Sequence, residues 1–397
     1  MRLLFIGGHY VEQLKPFFRK NARVGLDLAA NNLQEAIFKG FEENHFDCDV
    51  LSTPYLGSFP PYFKTPFVKG HKSADGKTIS IPYLNVSYVK RSDIRRRCLC
   101  HIREWCKDTR GKRVVLFYNF SCIALAPRIK EEFPDTKICL LVTDLKKYMA
   151  ADSFFLTRVN ASISSYLMKD NPSTYGFVDG YILLASKMTE CLPIASRPWL
   201  LMEGIYNPSV QFDAVPKDGN RVVLYTGNLG KRYGICSLLH AFCLIKNENY
   251  RLQFCGDGDG LSDISELIKR DNRVSYFGIL PRADVLTLQK RATILINPRP
   301  STEAYTKYSF PSKTMEYMAS GTPTLMCRLG CLPEEYKNLL YFIEDESAEG
   351  IKAAIVNACE KRDEELQMFG KAAADFIMRK KTPKVQASRI IEFIERL

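Results

Sequence analysis

Short apolar runs alternate with stretches of helical period along this chain, and the alternation occurs twice. In the first series the runs fall at residues 3–6, 48–51, 114–118, 138–142 and 180–184. Between the first two, Leu28, Leu33, Ile37 and Phe41 recur near helical spacing within residues 26–44. Runs this short and unbroken suit strands buried on both faces, and helix-length connections between them imply parallel pairing. A polar stretch at 207–220, containing Pro208, Pro216 and Gly219, interrupts the pattern. A second series follows at 222–225, 250–255, 274–277, 292–297 and 324–327. The expectation is an α/β protein of two Rossmann-like, doubly wound domains facing a cleft, 1–206 and 221–378, joined by the linker 207–220. A last helix at 379–397 carries Val385, Ile390, Ile391, Ile394 and Leu397 on one side and is expected to return to the first domain. Residues 52–77, rich in proline, glycine and aromatics, read as a long surface loop.

The 397 residues suit two domains at roughly 100–200 residues each. An apolar content of 46% excludes a disordered chain. No window approaches the roughly 18 apolar residues of a membrane span, and Met1-Arg2-Leu3-Leu4-Phe5-Ile6-Gly7-Gly8 reads as a strand and glycine turn, not a signal peptide. A cytoplasmic protein is therefore expected. Thirteen cysteines are an odd count, and Cys139, Cys243, Cys255 and Cys359 sit in apolar runs, which suits a reducing compartment. Cys98, Cys100 and Cys106 match no zinc spacing, so no metal site is expected.

The formal net charge is +12, and the excess is local. Residues 64–113 alone hold 14 basic and 4 acidic side chains. Such a patch attracts phosphate-rich surfaces. Within it, Ile94, Cys98, Ile102, Trp105 and Cys106 share one helix face and Arg95, Arg96, Arg103 and Lys107 another. A basic amphipathic helix with a tryptophan suits an anionic membrane surface, while the plainer alternative is a packed helix with a solvated basic face. No nucleic-acid module accompanies the patch, so nucleic acid is not an expected partner.

The segment from Phe310 to Pro323 carries the clearest chemistry. Pro311 stands at a helix start, and Gly321 with Pro323 ends the helix. Lys313, Glu316 and Ser320 share a face opposite Met315 and Met318. A lysine in the first turn opposes the helix dipole, so it makes sense where free amides beside Ser312 and Lys313 bind an anion. Glu316, one turn on, is placed to accept hydrogen bonds from hydroxyls such as those of a ribose. A simple surface Lys–Glu pair is the alternative.

Phe310-Pro311-Ser312-Lys313 with Glu316-Tyr317-Met318-Ala319-Ser320-Gly321-Thr322-Pro323 resembles the donor-site signature of GT-B glycosyltransferases, in particular the retaining family 4 group that builds bacterial capsular and exopolysaccharides. Tyr225-Thr226-Gly227-Asn228-Leu229, Phe254-Cys255-Gly256-Asp257-Gly258 and Tyr276-Phe277-Gly278 resemble the same group's strand ends, in the same order. Ala30-Asn31-Asn32-Leu33-Gln34 and Val142-Thr143-Asp144-Leu145 extend the likeness more loosely into the first domain. The resemblance implies that Glu316 binds the ribose, that Lys231 and Arg232 hold the diphosphate with Arg299 as a further candidate, and that Gly227 admits close approach of the ligand. The group often carries a second glutamate before the matched one, with seven residues between the two. Here that place before Glu316 belongs to Tyr308, and Glu303 on the preceding loop is the substitute carboxylate. His9 and Asp144, both just past strand ends, are the candidate catalytic residues on the acceptor side.

Together these readings imply a retaining, metal-independent transferase without a cofactor. It would move a sugar from a nucleotide diphosphate sugar to a lipid-linked saccharide in cell-surface polysaccharide biosynthesis, at the inner face of the membrane. A nucleotide-sugar 2-epimerase and a non-catalytic nucleotide-sugar-binding scaffold are the competing readings.

Overall fold

The computed structural model describes residues 1–145, 172–208 and 215–397, so part of the linker expected at 207–220 lies outside the described residues. The chain divides into two compact units: Met1–Ile205 with Pro383–Leu397, and Tyr206–Thr382.

The described strands of the first unit are β1 (Arg2–Gly7), β2 (Cys48–Ser52), β3 (Phe67–Val68), β4 (His71–Lys72), β5 (Thr78–Ser80), β6 (Tyr83–Leu84), β7 (Arg113–Tyr118), β8 (Lys137–Val142), β9 (Gly180–Leu183) and β10 (Trp199–Leu201). Eight of them form one sheet in the order β10-β9-β8-β7-β1-β2-β5-β4. All pairs are parallel except β4 with β5. The middle strands are buried on both faces, which is why β1, β7 and β8 read as unbroken apolar runs. Described helices are α1 (Lys15–Asn21), α2 (Leu28–Glu43), α3 (Lys90–Asp108) and α4 (Ala126–Glu132). Asp27 sets the start of α2 by accepting from the amide of Ala30 at 3.0 Å.

Residues 52–77 contain more order than a loop. The strands β3 and β4 lie there, and β3 pairs antiparallel with β6 as a separate ribbon. Strands of two or three residues have too few side chains to show a period, so their partners define them.

In the second unit the strands are β11 (Arg221–Asn228), β12 (Tyr250–Asp257), β13 (Val274–Tyr276), β14 (Ile294–Asn297), β15 (Thr324–Cys327) and β16 (Tyr341–Ile343). They form one parallel sheet in the order β13-β12-β11-β14-β15-β16. This is the doubly wound order, whose direction reverses between β11 and β14. The helices are α5 (Ile235–Cys243), α6 (Leu261–Ile268), α7 (Arg282–Arg291), α8 (Ser312–Ala319), α9 (Ala348–Cys359) and α10 (Asp363–Lys380). Val222, Leu224, Ala292, Leu295 and Tyr317 form the core beneath the reversal point.

The last helix, α11 (Pro383–Arg396), belongs to the first unit, as the sequence led one to expect. Ala387, Ile390 and Ile394 join Leu3, Ile37, Phe41 and Val114 in one buried cluster. Asn44, at the end of α2, donates to the carbonyl of Lys384 at 2.8 Å. Ile390→Ala is therefore expected to destabilise the first unit by about 2–5 kcal/mol, since an isoleucine buried on all sides leaves a cavity. Denaturant unfolding of the full chain reads this directly.

Candidate functional site

Ligands of open α/β sheets gather beyond the carboxyl ends of strands, where the strand order reverses. In the second unit that point lies past Asn228 on β11 and Asn297 on β14. The side chains singled out around Glu316 collect there.

Lys313 and Glu316 sit on the first turns of α8. Pro311 is the residue capping this helix, one position before its first turn, and Ser312 is exposed at its start. Lys313 Nζ lies 2.8 Å from Glu316 Oε1, so the ion pair offered as the plain reading is present. It is not an isolated surface pair. Gln289 of α7, fully buried, donates through Nε2 to the same Glu316 oxygen at 2.9 Å and to Thr226 Oγ1 at 3.0 Å. Burial pushes the Glu316 carboxyl up, but Lys313 and the Gln289 hydrogen bond more than offset it, leaving it below its ordinary range. The carboxylate is thus held ionised and half-sheltered with its position defined.

Tyr317, on the buried side of α8, locks this helix to the end of β11. Its hydroxyl accepts from the Thr226 amide at 2.7 Å and donates to the Thr226 carbonyl at 2.8 Å. Next along β11, Gly227 has φ 128° and its register partner Gly256 on β12 has φ 139°. A Cβ on Gly256 would stand 1.8 Å from the Gly227 carbonyl oxygen, and one on Gly227 would stand 3.3 Å from Lys313 Cε. The backbone is bare where Lys313 crosses it.

The basic residues after β11 separate in space. Lys231 is exposed and pairs with Asp263 at 2.8 Å. Arg232 instead lies over the Tyr305 ring, 4.6 Å from its centre, and beside Tyr233 at 5.4 Å. Arg299, past the end of β14, stacks on the same rings at 4.8 Å from Tyr233 and 5.5 Å from Tyr305. The Nε of Arg299 is buried without a hydrogen-bond partner. Two guanidinium groups on one pair of aromatic faces make a cationic corner of fixed shape. Glu303 is exposed, and its backbone carbonyl accepts from Thr306 at 2.9 Å at the start of a short turn. Tyr308 is half-buried.

The first unit reverses strand order between β1 and β7. His9 follows β1, and its Nε2 lies 3.8 Å from Glu35 Oε1 on α2, while its Nδ1 is buried without a partner. Glu35 also takes Lys15 at 3.0 Å. The nearby His9 imidazole, aided by Lys15 and Asn31 against burial, lowers the Glu35 carboxyl to about 2. The motif on α2 now has a role: Gln34 accepts from the Gly8 amide at 2.9 Å and Asn31 from the Tyr10 amide at 2.8 Å, so both shape the turn carrying His9. Asp144 is half-buried after β8 and adds to the burial that raises the Tyr118 hydroxyl well above its ordinary value. Its neighbour Thr143 is tied to Asn119, with N–H to Oδ1 at 2.9 Å. His9 and Asp144 lie at the same sheet edge with β7 between their strands.

The basic helix is built differently from the simple two-faced reading. Cys98, Ile102 and Cys106 are buried, as their spacing requires. Trp105 is half-buried, and its indole donates to Asp49 Oδ2 at 2.7 Å. Arg103 makes a two-point contact with Glu132, including Nε to Oε2 at 2.7 Å. Arg95 is half-buried with its Nε sequestered, and Arg96 pairs with Asp93 at 3.0 Å. Lys107 is exposed. No helix among the described residues is long and apolar enough to cross a membrane.

Gln289, Tyr305 and Glu35 are the site-building residues that sequence reasoning missed. Gln289 carries no signal at all, being one polar residue inside a helix. Glu35 falls one helical turn after Asn31, a spacing that could have linked it to the same turn.

The strand order, the bare glycine edge and the half-buried Glu316 carboxylate mark the ligand-binding end of a doubly wound α/β unit, and the chain holds a second doubly wound unit. Residues 209–376 match the family described as glycosyl transferases, group 1, so the second unit is a group 1 glycosyl transferase domain. The full chain has the GT-B fold. It is similar to sucrose-phosphate synthase from Thermosynechococcus elongatus, with a TM-score of 0.63 at 13% identity, covering 100% of this chain and 99% of that one. The catalytic domain of starch synthase IV from Arabidopsis thaliana, bound to ADP and acarbose, gives a TM-score of 0.63 at 10% identity over 100% and 99% of the two chains. Anabaena HepE in complex with UDP gives 0.58 at 13% identity over the whole of both. Among curated proteins, the probable glycosyltransferase WbjE of Pseudomonas aeruginosa is 38% identical over 68 residues, a match spanning 17% of each chain.

Proposed function

We propose that this protein transfers a glycosyl group from a nucleotide diphosphate sugar to a lipid-linked saccharide during cell-surface polysaccharide assembly. The observation that carries the donor side is the Glu316 carboxylate, oriented by Lys313 and Gln289 beside the bare Gly227–Gly256 edge. A carboxylate so held accepts hydrogen bonds from both hydroxyls of a ribose. Arg232 and Arg299 then receive the diphosphate, and their charge stabilises the dianionic phosphate as the sugar departs. In the reaction the bond from the anomeric carbon to the phosphate oxygen breaks, and a bond to the acceptor oxygen forms. The acceptor hydroxyl proton passes to the leaving phosphate, so no separate protein base is needed; that the transfer is retaining and metal-independent rests on the resemblance to the family 4 group. Glu303, exposed on its loop, is the carboxylate for a donor-sugar hydroxyl where Tyr308 offers none. His9, oriented by Glu35, and Asp144 face the acceptor. Support for this reading comes from the family of the second unit and from the ADP and UDP held by the two structurally similar proteins.

Arg232 and Arg299, not Lys231, are the diphosphate ligands in this reading. Arg299→Ala is expected to lower turnover at subsaturating donor by about ten- to a hundredfold, the value of one or two charge-assisted hydrogen bonds. Lys231→Ala, which removes only an exposed pair with Asp263, should leave turnover within about threefold. The test is release of free nucleotide from a panel of nucleotide sugars, with and without a lipid-linked saccharide analogue. No release from any donor, together with no calorimetric binding of UDP, ADP or GDP, would overturn the proposal.

A further inference from the structure

The ribbon of β3 and β6 presents an apolar face outward. Its two cross-strand pairs alternate as a ribbon should: Val68 opposite Tyr83 is fully buried, and Phe67 opposite Leu84 faces out. Outward positions on a small surface ribbon are ordinarily polar. Here Phe67 is 44% and Leu84 42% exposed. The patch continues into the start of α3. The Leu84 amide donates to Asp93 Oδ2 at 2.9 Å, and the Asp93 amide bonds back to the Val89 carbonyl at 3.0 Å. Val89 is 46% exposed, and Tyr88 before it is 75% exposed with φ 70°. One scattered surface leucine needs no explanation, but four large apolar side chains along one hydrogen-bonded path do.

The surroundings say what covers them. Lys69 follows the ribbon strand and Arg91 stands two positions after Val89, and both are exposed. The acid that joins these two stretches, Asp93, is buried and already paired with Arg96 at 3.0 Å and Arg97 at 2.9 Å. Lys90 is turned inward, with its ammonium 5.8 Å from the centre of the Tyr83 ring, so the helix start packs against the ribbon. The whole segment 64–113 has ten more basic than acidic residues. We infer that Phe67, Leu84, Tyr88 and Val89 insert into an anionic lipid surface, with Lys69 and Arg91 at the headgroups. Apolar side chains ringed by cations fit the boundary of an anionic bilayer, whereas an apolar protein partner would leave the basic surplus unanswered. Trp105, tied to Asp49, is not an inserting residue. The inference deepens the lipid-linked acceptor reading and rests on it for its purpose, but its test is independent of sugar transfer.

The test is sedimentation of the full chain with vesicles of phosphatidylglycerol and phosphatidylcholine over a salt series. The unaltered protein should bind phosphatidylglycerol vesicles at low salt and release as salt rises. The double variant Phe67→Ser, Leu84→Ser should bind about ten- to a hundredfold more weakly, and Lys69→Glu with Arg91→Glu likewise. Both changes lie at exposed positions, so unchanged thermal unfolding will show that folding is intact. Retained binding in the serine variant would overturn apolar insertion. Failure of the unaltered protein to bind would overturn the surface altogether, and so would self-association that the serine variant abolishes. Calorimetric nucleotide binding, measured in parallel, reports separately on the donor site.

Discussion

Glu316→Ala lowers the affinity of the second unit for a nucleoside diphosphate by about ten- to a hundredfold while the chain stays folded. The expectation follows from what the carboxylate does in the structure. It supports no strand or helix, and its partners Lys313 and Gln289 keep other contacts or solvent when it is gone: Lys313 is partly exposed, and Gln289 still reaches Thr226. What disappears is an oriented anion facing the reversal point of the sheet. Glu316→Gln keeps the shape but not the charge and should fall between the two. Because the carboxyl lies below its ordinary range in the folded protein, its contribution to stability is present above its unfolded value near 4.5 and is lost as pH falls through the lowered folded value. Donor affinity should therefore be insensitive to this group between pH 5 and 8. Calorimetry with UDP, ADP and GDP at several pH values measures both statements. Unchanged affinity in Glu316→Ala would place the ribose elsewhere.

The largest effect on stability is expected at Gly256. A methyl group there would stand 1.8 Å from the carbonyl oxygen of Gly227, which no side-chain motion can relieve because the obstacle is backbone. The φ of 139° adds strain of about 1–3 kcal/mol for any residue with a Cβ. Gly256→Ala should therefore destabilise the second unit by at least about 3 kcal/mol and abolish nucleotide binding, since the parted strands are those that carry Gly227 and Thr226. Gly278→Ala is the control. It has φ 73° but nothing within 4 Å of the added methyl, so it should cost only about 1 kcal/mol. Chemical unfolding of both variants, followed by a probe in the second unit, discriminates them. Equal, small effects would mean that β11 and β12 can move apart at their ends.

The separation of Lys231 from Arg232 shows where reading the chain reaches its limit. Both are basic, adjacent and placed just after a strand, and nothing in their order distinguishes them. The turn that follows sends Lys231 to Asp263 and Arg232 to the rings of Tyr233 and Tyr305. Trp105 teaches the same lesson. It shares a helix face with Cys98, Ile102 and Cys106, and it is a strand residue distant in sequence, Asp49, that draws its indole inward. The apolar ribbon escaped notice because two-residue strands leave no periodic trace, and the exposure of Phe67 and Leu84 depends on which neighbours cover the opposite face.

By itself the sequence determined the two doubly wound units, the helix returning to the first unit and the helical segment that carries Lys313 and Glu316. These follow from local rules: continuous apolar runs for strands buried on both faces, helical spacing for their connections, and proline and glycine at helix ends. Only the tertiary structure decided that Gln289 holds Glu316, that Tyr317 pins Thr226, that Arg299 joins Arg232, and that Glu35 faces His9. Each of these pairs joins residues from different elements, and the spacing between them along the chain carries no information about distance. The strand order of the sheet brings them together, and that order is set by the global burial of apolar surface, not by any local pattern.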